Sequence, residues 1–181
     1  YLPDSDPAPL GVYGASKWRG EQAVLAVDAR HVVVRTSWVY GPGGHNFVLT
    51  MLRLMREQAT VRVVNDQIGS PTSTQGLAKI CWMLADRDDV RGVYHWSDDG
   101  AISWYDFACG IHQEALALGL LSAPAKVEPI PTIAFPTKAR RPAYSVLDAS
   151  DTCSVLGVAQ QPWRDDLRDM LRSQQQLEGT A

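Results

Sequence analysis

Residues 31–35 read His-Val-Val-Val-Arg, and this β-branched run constrains the fold more than any other stretch. Consecutive valines suit a strand buried on both faces, the pattern of a central strand in a parallel sheet. Parallel strands need a crossover, most often a helix. The preceding segment supplies one: from about Leu10 to Val27, apolar Val12, Ala15, Ala23, Val24 and Val27 fall on one broad side. Pro9 suits the first turn of such a helix, where a missing N–H costs nothing. A helix feeding a buried parallel strand is an α/β signature.

The same helix carries Tyr13-Gly14-Ala15-Ser16-Lys17. A tyrosine and a lysine four residues apart share a helix face. An ammonium beside a phenol favours the phenolate and lowers a pKa that is otherwise about 10. A phenol tuned in this way can pass a proton to a carbonyl oxygen as hydride arrives at its carbon. The spacing also occurs on ordinary amphipathic helices with a solvated lysine. Here the motif follows a Pro-rich loop and directly precedes a buried-type strand, and that context favours the chemical reading. The strand runs into Arg35-Thr36-Ser37-Trp38-Val39-Tyr40-Gly41, and strand ends are where open α/β sheets place their sites.

Further along, Gly41-Pro42-Gly43-Gly44-His45 is a turn by composition. Asn46 stands at an N-cap position for a helix through about Gln58, with Phe47, Val48, Met51, Leu52 and Met55 at helical spacing. Val61 to Val64 alternates as a short strand. A polar loop, residues 65–72, precedes a helix from Thr74 to about Leu84. Gly92 to Trp96 reads as another strand. Ser103-x-x-Asp106 is a capping-box variant for a helix carrying Trp104, Phe107, Ala108, Ile111 and Ala115. Residues 123–142 are punctuated by prolines and should run extended, with one strand at Lys126 to Pro129. Helices at about Ala149 to Leu156 and Trp163 to Gln176 complete the pattern, and Leu177 to Ala181 should fray.

The formal charge of −3 gives no basic footprint for nucleic acid. No apolar run reaches membrane-spanning length. Three widely spaced cysteines, Cys81, Cys109 and Cys153, read most simply as free thiols in a reducing cytoplasm.

In order along the chain, Val12 to Lys17, Arg35 to Gly41, Asn46-Phe47, Val64 to Thr72, Gly92 to His95 and Arg141-Pro142 resemble the extended short-chain dehydrogenase/reductases, and within them the dTDP-4-dehydrorhamnose reductases. The resemblance implies the C-terminal part of a Rossmann-type doubly wound parallel sheet plus a smaller α/β substrate-binding domain. Residues 1–60 would belong mainly to the first, and residues 61–181 mainly to the second with some segments returning to the sheet. It implies NAD(P)H-dependent reduction of the 4-keto group of dTDP-4-dehydro-L-rhamnose, using NADPH or NADH, in the cytoplasm and in a possible homodimer. An epimerase or dehydratase of the same superfamily, or a non-catalytic subunit on the same fold, are the alternatives.

Carried over residue by residue, Tyr13 is the proton donor and Lys17 holds the cofactor ribose, with Ser37 on the cofactor side. Trp38, Asn46 and Arg141 are the substrate-side candidates. Each has a plainer role as well: Trp38 as a core aromatic closing the sheet end, Asn46 as a helix cap, Arg141 as part of a solvated basic loop with Lys138 and Arg140. Arg35 could cap a sheet edge, and Glu21 could pair with Lys17 on the helix surface. Members of the family hold Mg2+ with a glutamate at the start of the helix near Thr74. Gln75 stands there, a neutral amide and a poorer ligand for a hard cation, so no metal ligand is assigned. The family's Gly-rich cofactor turn and its Ser/Thr partner before the tyrosine have no counterpart in these residues. The expectation is therefore the C-terminal portion of a longer protein.

Overall fold

The computed structural model describes residues 1–135, 137 and 139–179. Its elements run α1 (Val12–Val27), β1 (Val32–Arg35), β2 (Val39–Tyr40), α2 (Phe47–Glu57), β3 (Thr60–Val64), β4 (Ile68–Gly69), β5 (Thr72–Ser73) and α3 (Thr74–Ala85). They continue with β6 (Gly92–His95), β7 (Ile102–Ser103), α4 (Trp104–Ala117), β8 (Lys126–Ile130), a 3-10 turn at Thr132–Ala134, α5 (Ser150–Leu156) and α6 (Trp163–Gly179). Strands pair in parallel as β1 with β6, β2 with β5 and β3 with β8, while β4 and β7 are antiparallel. Each parallel pair joins strands far apart in sequence with helices between them, as crossover topology requires.

Two apolar clusters hold these elements, and they interleave along the chain. The first is built by α2, α4 and α6 around β3. Its geometry follows from helical period: α2 buries Val48, Met51, Leu52 and Met55, and α6 buries Leu167, Met170 and Leu171. Phe107 of α4 is fully buried at the centre. In the second cluster, Ile80 and Leu84 of α3 meet Val90, Trp96 and Ala149, with Val32 and Val34 of β1 against them.

Four expectations need correction. The β1 residues are each half-buried, and within the described residues the strand pairs with β6 alone. Helix α1 starts two residues later than expected, with Gly11 as its cap; Pro9 lies before the helix and packs on Gly14, whose added Cβ would sit 3.2 Å from the Pro9 Cβ. The apolar side of α1 buries no residue, and Val12 and Val27 at its two ends are exposed. Its anchor is polar, as described below. At the other terminus α6 continues to Gly179, so Leu177 is helical, while Thr180 and Ala181 lie outside the described residues, as does Lys138 of the basic loop.

Candidate active site

Helix α1 presents Tyr13 in its first turn, with 80% of the residue exposed, and Lys17 one turn later, also exposed. Among the described residues neither side chain has a hydrogen-bond partner, so both donors face outward. Glu21, the next residue on that stripe, does not pair with Lys17. Its carboxylate accepts two hydrogen bonds from Arg35, from Nε at 2.9 Å and from Nη2 at 2.7 Å. The geometry explains the choice: a guanidinium fork matches a carboxylate at both oxygens, which a lysine cannot do.

Beyond Arg35 the chain is fixed by hydroxyls. Thr36 Oγ1 donates to Thr72 Oγ1 at 3.0 Å, Thr72 Oγ1 donates to the Ser37 carbonyl at 2.6 Å, and Ser37 Oγ donates to the Ser70 carbonyl at 2.6 Å. Ser37 therefore spends its proton on the loop that carries β5, and only its lone pairs remain for a ligand. This lock delivers Trp38, the one non-glycine residue with positive φ among the described residues, at +47°. Its indole stacks on Trp104 with centroids 3.5 Å apart and planes 12° from parallel. Gly69 makes room for it, since a Cβ there would lie 2.5 Å from Trp38 Cε2. Phe47 leans on the other partner, 4.6 Å from Trp104.

Trp104 and Phe47 in turn wall a pocket of about 280 Å³, whose rim carries Arg62, Gln67, Phe135 and Arg141. Gln67 is fixed by donation from Nε2 to Thr132 Oγ1 at 2.9 Å, and Thr132 Oγ1 donates to Asp66 at 2.6 Å. The two Thr132 hydrogen bonds hold the Asp66 carboxyl below its ordinary value. Asn46 does not line this pocket. It accepts from Leu49 N and donates to the carbonyls of Gly41 and Gly43, so its amide is fully engaged in capping α2 and closing the glycine turn.

The structure thus gathers Trp38 and Arg141 around one pocket, Trp38 one ring removed, and keeps Tyr13 and Lys17 on α1 outside its lining. Sequence reasoning missed Arg62, Gln67 and Phe135, and assigned Trp104 to core. Arg62 was readable as the outward position between buried Val61 and Val63 in an alternating strand. Nothing local marks Phe135, which reaches the rim through the 3-10 turn.

Beneath the site sits a buried carboxyl. Asp98 accepts from Tyr40 Oη at 3.1 Å and from Ser73 N at 3.0 Å. Burial first, then the nearby Asp166 carboxylate, push its pKa up to about 7 against the pull of the Ser73 N–H. The same burial raises the Tyr40 phenol well above its usual range. Among the described residues no group of three or more His, Cys, Asp or Glu side chains is placed to hold a metal ion. No described helix is long and apolar enough to cross a membrane.

Parallel strands with helical crossovers, and a Tyr-x-x-x-Lys helix docked on the strand that leads to an aromatic pocket, define the extended short-chain dehydrogenase/reductase class. The chain belongs to the RmlD substrate binding domain family, whose model matches residues 1–176. It is 39% identical over 176 residues to the dTDP-4-dehydrorhamnose reductase of Escherichia coli K12, a match covering 94% of this chain and 58% of that one. It is 40% identical over 173 residues to the spore coat polysaccharide biosynthesis protein SpsK of Bacillus subtilis, covering 95% and 58%. The crystal structure of dTDP-4-dehydrorhamnose reductase from Bacillus anthracis in complex with NADP superimposes with a TM-score of 0.86 at 37% identity, covering 96% of this chain and 59% of that one. The chain therefore spans a little under 60% of the length of these relatives.

Proposed function

We propose that this chain supplies the proton-donating and substrate-binding side of a cytoplasmic, NAD(P)H-dependent reductase that converts dTDP-4-dehydro-L-rhamnose to dTDP-L-rhamnose. The carrying observation is the outward-facing Tyr13 and Lys17 pair, on a helix tied to the strand whose end delivers Trp38 to a pocket edged by two arginines. The names of the relatives support the substrate, and the NADP in the Bacillus anthracis structure supports NADPH over NADH.

The donor set fits a nicotinamide cofactor: a phenol and an ammonium one turn apart, both without a described partner, can face a ribose and a reacting carbonyl. When bound, the nicotinamide supplies hydride. Lys17 holds the ribose hydroxyls and favours loss of the Tyr13 proton. Tyr13 donates that proton to the C4 oxygen of the sugar as the new C–H bond forms. Arg62 and Arg141 offer forked donors to the diphosphate. Trp104, Phe47 and Phe135 supply flat apolar faces for the base and sugar, and Trp38 stiffens that wall from behind.

Tyr13→Phe in the intact protein tests this reading. Turnover should fall by about 100-fold or more, the usual range for a general acid, with cofactor binding retained in a tryptophan-fluorescence titration. Near-normal turnover would remove Tyr13 as the proton donor.

A further inference from the structure

Helix α1 presents a mechanical problem. It must hold Tyr13 and Lys17 in a defined place, and one of its side chains, that of Glu21, is turned toward the strands and nearly covered. A forked ion pair to a neighbouring element can fix a helix against rotation and sliding. Glu21 makes one. That residue lies four positions after Lys17 and eight after Tyr13, hence on the same stripe, about 12 Å along the axis from the tyrosine. Unlike its two neighbours it points inward, with its side chain only 9% exposed.

Glu21 meets Arg35, the last residue of β1, through both carboxylate oxygens. The remaining guanidinium nitrogen, Nη1, donates to the Pro3 carbonyl at 3.0 Å and stands 3.4 Å from His95 Nε2 of β6. Burial, then the Arg35 charge, lower the pKa of His95 and keep that ring neutral against the arginine. One guanidinium therefore ties together α1, the entering segment and the paired strands. Its neighbours in sequence, Thr36 and Ser37, are pinned to the loop of Ser70 and Thr72 and carry Trp38 to the pocket wall.

We infer that Glu21 and Arg35 are positioning residues for the reaction. Their forked ion pair sets the rotation and axial place of α1, and so aims Tyr13 and Lys17 at the same point that the strand end offers to substrate. A two-bond fork fixes direction as well as distance, whereas a point charge fixes distance alone. This inference rests on the proposal that Tyr13 donates the proton.

The test uses Arg35→Lys and Glu21→Gln in the intact protein, with Tyr13→Phe as a control. For each variant one measures kcat, KM for the nucleotide sugar, the pH profile of kcat and the melting temperature. Arg35→Lys keeps the charge but loses the fork. It should lower kcat by about 100-fold, the scale of an ångström-sized misplacement of a reacting group. KM should stay within about twofold, because α1 contributes no residue to the pocket lining. The limb of the pH profile that reports Tyr13 should shift as the helix carries the phenol away from the cofactor and the reacting carbonyl, which a loss of stability alone would not do. Glu21→Gln should show the same split more mildly. Unchanged kcat in both variants, a loss confined to KM, or failure of both to fold would overturn the inference. If Tyr13→Phe is inactive while both variants turn over normally, only the positioning role falls. If Tyr13→Phe retains activity, the proton-donor reading falls first.

Discussion

Trp38 concentrates the tension between local preference and tertiary demand. A tryptophan in the left-handed region, at φ +47°, carries a backbone strain of about 1–3 kcal/mol. Its stack on Trp104 and the space left by Gly69 offset that strain. Gly69 is thus required for close approach and not for its own dihedrals. Gly69→Ala would push a methyl into the indole, and we expect destabilisation of about 1–3 kcal/mol in urea unfolding. We also expect loss of the exciton circular-dichroism signal of the stacked indoles. An intact exciton signal in a fully stable variant would show that Gly69 does not set the stack. The sequence offered Trp38 as core aromatic or pocket residue, and the structure makes it a backing wall: packed against Trp104, which itself faces the pocket. Asn46 shows the opposite case, a residue whose capping role was legible because every partner lies within five positions.

Helices differ in how much of them the sequence reveals. Helix α4 was readable from both ends of its logic. Ser103 and Asp106 exchange hydrogen bonds, with Ser103 Oγ accepting from Asp106 N at 3.0 Å and the Asp106 carboxylate accepting from Ser103 N at 2.9 Å. Behind the cap, Phe107, Ala108, Ile111 and Ala115 bury one face completely. Ser103→Ala should cost about 1 kcal/mol of stability by chemical unfolding. It should also loosen Trp104, the first residue of the helix, and so weaken nucleotide-sugar binding. A variant with unchanged stability would mean that the cap is not holding the helix start. Helix α1 follows different rules. Its apolar spacing predicted a buried side, but a helix buries its stripe only where another element covers it. Among the described residues it is tied by an ion pair to a strand residue fourteen positions away, a distance at which no helical periodicity speaks.

At the scale of the whole molecule, the buried Asp98 couples segments that are far apart in sequence. It is faced by Tyr40 from β2, by the Ser73 N–H at the start of α3 and by Asp166 from α6, whose neighbours Asp165 and Asp169 add negative charge. Both Asp98 and Asp166 are raised above the ordinary carboxyl value, in each case by burial first. The folded state therefore binds protons more tightly than the unfolded chain. The pair's contribution to stability is fully present below the unfolded pKa of about 4, and is lost as pH rises through the folded value of about 7. Asp98→Asn removes the buried charge while keeping an acceptor for Ser73 N and Tyr40 Oη. We expect it to flatten the fall in melting temperature between about pH 4 and pH 7, and to raise stability at the upper end by roughly 2 kcal/mol. Parallel slopes for the two proteins would exclude the pair as the source.

The sequence by itself determined what depends on near neighbours: the parallel strand β1, the short strand β3, the periodic face of α2, the Ser103 cap, and the Tyr13 and Lys17 spacing. Helical and strand periods are local properties, and a few residues suffice to state them. Tertiary structure alone decided which charges and rings meet. Arg35 took Glu21 from Lys17 because the strand end passes that side of α1. Arg62 and Arg141 came to one pocket rim across some eighty residues, and Asp98 met Asp166 across nearly seventy. Such pairings follow from how sheets and helices pack, and no short window of residues carries that information.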